Sequence, residues 1–103
     1  MENSQLTVEK SADGMSVSAN QTAKVLLARK LNELIDHRGW SQSEVAGIIG
    51  MTQPKVSQVR RCQLQNISLE RLMQALVALG QRVEIVVRPS SRAGTSGITV
   101  VQR

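Results

Sequence analysis

The stretch GWSQSEVAGIIGMTQPKVSQV, residues 39–59, writes two short helices in succession, each with a capping residue ahead of it and a glycine between them. Ser41 followed three residues later by Glu44 is a capping box, in which hydroxyl and carboxylate satisfy amide donors that a first helical turn leaves unpaired. Trp40 and Val45 can close a hydrophobic staple around Ser41. The same geometry recurs with Met51 and Val56 around Thr52, and with Ile67 and Leu72 around Ser68. Val45, Ala46, Ile48 and Ile49 make one apolar face, and Gly50 falls where a helix ends in the left-handed conformation that glycine adopts without strain. Two short capped helices about a sharp turn are the sequence form of a helix-turn-helix.

Working outward, Leu27, Leu31, Leu34 and Ile35 recur at helical spacing from about Asn20 to a stop at Gly39, which predicts a first, packing helix. Leu69, Leu72, Met73, Leu76 and Val77 repeat the pattern between Ser68 and Gly80 and predict a fourth. The period then changes to two. In QRVEIVVR, residues 81–88, Val83, Ile85 and Val87 alternate with Arg82, Glu84, Val86 and Arg88, and Pro89 ends the run as a strand would end. A solitary strand leaves amides and carbonyls unpaired, so it needs the N-terminal arm, the Ile98 to Val101 segment or a second copy of the chain. The second copy is the expectation, because antiparallel pairing of identical strands closes a two-fold homodimer. The expected organisation is mainly α: an arm over residues 1–19, a four-to-five-helix DNA-binding body over 20–80, a dimerisation strand over 81–89 and a flexible basic tail over 90–103. In the arm, QLTVEK and MSVSA flank Asp13-Gly14, a pattern that suits a hairpin or a flexible segment.

Composition bounds the function. With 103 residues, 41% of them hydrophobic, the chain is long enough for one domain and too short for two. It has no Phe or Tyr and Trp40 is its one aromatic residue, so the core is aliphatic, which suits small helices. Thirteen Lys and Arg against eight Asp and Glu give +5, compatible with nucleic acid or an anionic membrane. Distribution says more than the sum: no acid occurs between Val45 and Leu69, where Lys55, Arg60 and Arg61 lie, so local charge favours a polyanion beside the second short helix. Cys62 is the one cysteine and excludes an internal disulfide. Without an apolar run of signal or membrane-spanning length, a cytoplasmic location and no membrane partner are expected. The sequons at Asn20 and Asn66 are then chance matches. His37, in the last turn of the first helix, suits the helix dipole and has no second ligand at metal spacing. No glycine-rich phosphate loop, nucleophile elbow or paired carboxylates are found, so neither an enzyme nor a cofactor is expected.

The chemistry gathers on the helix that starts at Thr52. With Val56 and Val59 inward, Pro54, Ser57, Gln58 and Arg61 face outward, flanked by Gln53 and Lys55. Gln can bond adenine N6 and N7 together, Arg and Lys can bond guanine O6 and N7, and a helix fits the major groove where those edges are displayed. Gln53, Lys55, Ser57 and Gln58 are the expected base readers in double-stranded DNA. Gln42, Arg60 and Arg61 suit phosphates, as do the backbone amides at the helix starts marked by Ser41 and Thr52.

Leu31 to Leu79, with WSQSEVAGIIGMTQPKVSQVRR at its centre, resembles the helix-turn-helix domain of the lambda-repressor and Cro-like family, also called the xenobiotic-response-element (XRE) family. The resemblance implies a transcriptional regulator, acting as a repressor and reading a palindromic operator as a dimer. It also implies that Gln42 braces a phosphate, that Ala46 is the small residue where two helices cross, and that Gln53, Lys55, Ser57 and Gln58 occupy base-reading positions. Cys62 stands where many members have glycine, so the chain either holds a strained residue there or turns differently. The continuation SLERLMQALVALGQRVEIVVRP is similar to a branch of small bacterial regulators that includes antitoxins, which implies autorepression and a toxin partner as the alternative function.

Overall fold

In the computed structural model residues 4–9, 19–90 and 97–102 are described. In chain order they form β1 (Ser4–Glu9), α1 (Ala19–Arg38), α2 (Gln42–Ile49), α3 (Gln53–Arg60), α4 (Leu69–Ala78) and β2 (Gly97–Gln102). The architecture is mainly α with a C-terminal strand, as the sequence predicts, but that strand is Gly97–Gln102 and not the expected 81–89.

The helices begin and end where their local chemistry dictates. Ser41, Thr52 and Ser68 are all N-caps in extended backbone, each with a side-chain oxygen accepting from the amide three residues on. Gly39, Gly50 and Gly80 close α1, α2 and α4 with φ of 68°, 71° and 83°. Between these punctuation marks the apolar faces converge on one core, in which Leu31, Val45, Val56, Val59, Ile67 and Leu72 are fully buried. Each such side chain contributes about 1.5–3 kcal/mol by leaving water.

Two apolar residues depart from the expected faces. Ile48 and Val77 remain 41% and 56% exposed. An eight-residue helix such as α2 presents a narrow inward stripe, filled here by Val45 and Ile49 one turn apart. On α4 the stripe runs through Leu72, Ala75 and Leu76, which leaves Val77 outside it. Conversely, Leu64 and Ile67 in the α3–α4 loop are buried at 3% and 2% exposure, so this loop is part of the core.

The pairing of strands differs from expectation. β1 and β2 form an antiparallel ladder with Leu6 opposite Val100 and Val8 opposite Ile98, and the ribbon packs beside α1. The end of the expected tail is therefore strand, and the first leg of the expected hairpin pairs with it. Asp13-Gly14 and the second leg lie outside the described residues. The expected dimer strand forms no ladder within the chain: residues 82–88 make no backbone hydrogen bond among the described residues. Val83 packs on the core, whereas Ile85 and Val87 are 74% and 90% exposed. Alternation reports a strand's two faces and leaves its neighbour unspecified.

Candidate nucleic-acid interface

The α2–α3 unit is fixed at both caps and at the turn. Ser41 Oγ accepts from the Glu44 amide at 3.1 Å while the Ser41 amide donates to Glu44 Oε1 at 2.8 Å, completing the capping box. The Ser41 backbone amide, and after it the Ser41 hydroxyl, stabilise the ionised Glu44 carboxyl and hold it below the usual glutamate range. At the turn, the Gly50 and Met51 amides both donate to Ala46 O, at 3.0 and 3.2 Å. From α4, Arg71 Nη2 donates to Gly50 O at 2.6 Å and locks the turn to the body.

On α3, Val56 and Val59 are fully buried, and the opposite side carries the expected face. Gln53 and Pro54 are exposed at its start, and Ser57, Gln58 and Lys55 are half-buried along it. The side chains of Gln53, Ser57 and Gln58 make no hydrogen bond with the protein among the described residues, so their donors and acceptors are open to a ligand. Gln42 and Arg61 are exposed at opposite ends of the unit. Lys55 is different: its Nζ donates to Asn66 O at 2.9 Å, against the loop that leads to α4.

Arg60 is different too. Its guanidinium turns back onto α1, donating from Nη1 to Asn32 O at 3.2 Å and to Asn32 Oδ1 at 3.0 Å, and pairing through Nη2 with Asp36. Asn32 also donates from Nδ2 to Val59 O at 3.0 Å, satisfying a carbonyl in the last turn of α3. Asn32, Asp36 and Arg60 thus clamp the end of the outward-facing helix to the packing helix. Sequence reading missed the α1 half of this clamp; the one available signal was a polar Asn inside the Leu31–Ile35 apolar stripe. Lys24 and Arg38 play similar roles, donating to Leu64 O at 3.3 Å and to Leu79 O at 3.4 Å.

The exit from α3 resolves the question posed by Cys62. The Cys62 amide donates to Val59 O at 3.0 Å and the Gln63 amide to Gln58 O at 2.8 Å, with Cys62 at φ 55°. The same pair of bonds closes α4, from Gly80 to Val77 O at 2.9 Å and from Gln81 to Leu76 O at 3.0 Å. Cys62 therefore occupies a left-handed helix end with a side chain that disfavours it. Its thiol is exposed. His37 is exposed at the end of α1, and no cluster of three metal-ligating side chains occurs among the described residues. No helix among those residues is long and apolar enough to cross a membrane.

This arrangement presents a polar helix, capped at its start, clamped at its end and joined to its neighbouring helix through the turn at Gly50. It can enter a major groove while backbone amides and flanking cations meet phosphates. The profile of a family described as a helix-turn-helix domain matches residues 11–88. Among solved structures, a chain described as an XRE family transcriptional regulator is similar with a TM-score of 0.78 and 42% identity, over 82% of this chain and 97% of that one. No curated protein matches the chain.

Proposed function

Because the chain belongs to the XRE-like helix-turn-helix family and is a DNA-binding transcriptional regulator, we propose that it acts as a repressor, reading a palindromic operator as a homodimer with α3 in the major groove. The observation that carries this reading is the outward face of α3, where Gln53, Ser57 and Gln58 keep unpaired hydrogen-bonding groups on a helix immobilised at both ends. These three are the base readers. Lys55 joins them by releasing Asn66 O, an exposed hydrogen bond that leaves nothing buried unpaired. Gln42, Arg61 and the amides at the starts of α2 and α3 take phosphates, with the Ser41 and Thr52 hydroxyls fixing those helix starts. Arg60 contributes chiefly by clamping α3 to α1, with its charge already facing Asp36.

Binding to random-sequence duplexes at two salt concentrations tests the proposal. A recovered palindrome with half-sites about one helical turn apart, bound more weakly as salt rises, supports it. Binding without any recovered motif contradicts it. Sequestration of a toxin protein is the second reading, favoured by the exposed apolar run at Ile85, Val86 and Val87; formation of a complex with a small partner protein in place of self-association would support it.

A further inference from the structure

The three most exposed large apolar side chains among the described residues are consecutive: Ile85, Val86 and Val87, at 74%, 71% and 90% exposure. Residues 82–88, which carry them, offer a row of backbone groups without hydrogen bonds among the described residues. This segment borders a groove of about 550 Å³ whose other walls are Leu27 of α1, Met73 of α4 and residues 98–101 of β2. An open strand edge beside a groove that mixes aliphatic and charged side chains has the chemistry to receive another strand.

We propose that the occupant is the same segment of a second copy, paired antiparallel with residues 82–88 about a two-fold axis through Val86. The inference rests on the homodimer proposed above and specifies its interface. A two-fold perpendicular to a sheet keeps every residue on its own face, so residues that oppose one another must differ by an even number and the axis must pass through a residue. Few choices remain. An axis through Glu84 sets Glu84 against itself, and one through Ile85 sets Arg82 against Arg88, both like-charge pairs. An axis through Val87 opposes no charges. One through Val83 sets Arg82 against Glu84 but drives Val86 and Val87 into Gly80 and Leu79, the closed end of α4. The axis through Val86 places Glu84 opposite the partner's Arg88 twice and Ile85 opposite the partner's Val87 twice.

The faces agree with this choice. Val83 already packs on the core, so a strand continuing from it turns Ile85 and Val87 toward the groove and Glu84, Val86 and Arg88 toward solvent. Glu84 then lies between its own Arg82, 3.7 Å away, and the partner's Arg88. If the Val86 pair exchanges hydrogen bonds, Pro89 falls at a position that exchanges none, where its missing N–H is harmless.

The test uses the full chain with Cys62→Ser as background and Glu84→Cys, Ile85→Cys, Val86→Cys or Val87→Cys added singly. After mild oxidation, Val86→Cys should give the largest covalent dimer fraction, because directly opposed Cα atoms lie about 5.5 Å apart, within disulfide reach. Ile85→Cys and Val87→Cys should cross-link chiefly when the two chains are mixed. Independently, Glu84→Arg should weaken self-association about tenfold by opposing like charges, and Glu84→Arg with Arg88→Glu should restore it. A cross-linking maximum at another position, or no restoration by the double variant, overturns the register while leaving the dimer standing. A wild-type chain that sediments as a monomer overturns the dimer itself.

Discussion

Between Ala19 and Gly80 the helix starts at α2, α3 and α4 and the ends of all four helices find partners within a few residues, whereas β1 and β2 pair across almost the whole chain and residues 82–88 find no backbone partner among the described residues. The helical body closes on itself, with sixteen apolar residues below one-tenth exposure and no buried polar side chain among the described residues. The segment after it leaves three consecutive aliphatic side chains in water. Local rules therefore govern the helical body, and non-local ones govern the segments that flank it.

The largest effect that sharpens this contrast is a core truncation. Leu31→Ala should lower stability by about 2–5 kcal/mol at every protein concentration, as measured by urea unfolding. Ile85→Ser should lower it only as protein concentration rises into the range where the dimer forms, since mass action stabilises an associated state alone. A concentration-independent loss at Ile85 would erase the distinction between body and interface.

Next comes the clamp. Asn32→Ala removes the donor to Val59 O and the acceptor for Arg60, and should cost about 1–3 kcal/mol in thermal or urea unfolding. If the clamp positions α3, the same variant weakens operator binding more than binding to random DNA. Ser41→Ala should cost about 1 kcal/mol through the lost cap. Its partner gives a pH signature: the Glu44 carboxyl titrates below its ordinary value of 4.5, so the capping contribution is present above that pH and disappears as pH falls through the folded value. The stability difference between wild type and Glu44→Gln should shrink in that acid range and stay constant above it. The smallest effect has the opposite sign. Cys62→Gly relieves a left-handed residue but loosens the unfolded chain, for a net gain of about 0.5–1 kcal/mol. No gain would mean that the α3 exit tolerates a side chain as readily as the α4 exit uses glycine.

Most of the body was legible in the sequence because each cap signals over three or four residues, and the caps at Ser41, Thr52 and Ser68 were all read from that spacing. The glycine position at Cys62 came from the family resemblance and not from cap spacing, and its φ of 55° shows that the chain holds a left-handed residue there and does not turn differently. The destination of Arg60 was not legible. An acid-free stretch around it suggests a free cation, yet its partners Asn32 and Asp36 lie on α1, a full helix upstream. Lys55 likewise finds a carbonyl at Asn66 that no composition count exposes. Period-two patterning marked QLTVEK and QRVEIVVR alike as strand-like, yet the first enters the ribbon while the second forms no ladder among the described residues; register and partner depend on which edges meet in three dimensions, and β2 stands behind a Ser- and Gly-rich approach.

The most direct test of α3 as the reading helix compares DNA sequences selected from random duplexes by the wild-type protein and by Gln58→Ala, with Arg61→Ala in parallel. The expected result is that Gln58→Ala relaxes preference at one position of each half-site, by about 1–3 kcal/mol, while Arg61→Ala weakens all sequences alike and flattens the salt dependence by about one charge. Equal loss on every sequence for both variants, with the selected motif unchanged, would contradict base reading by this helix.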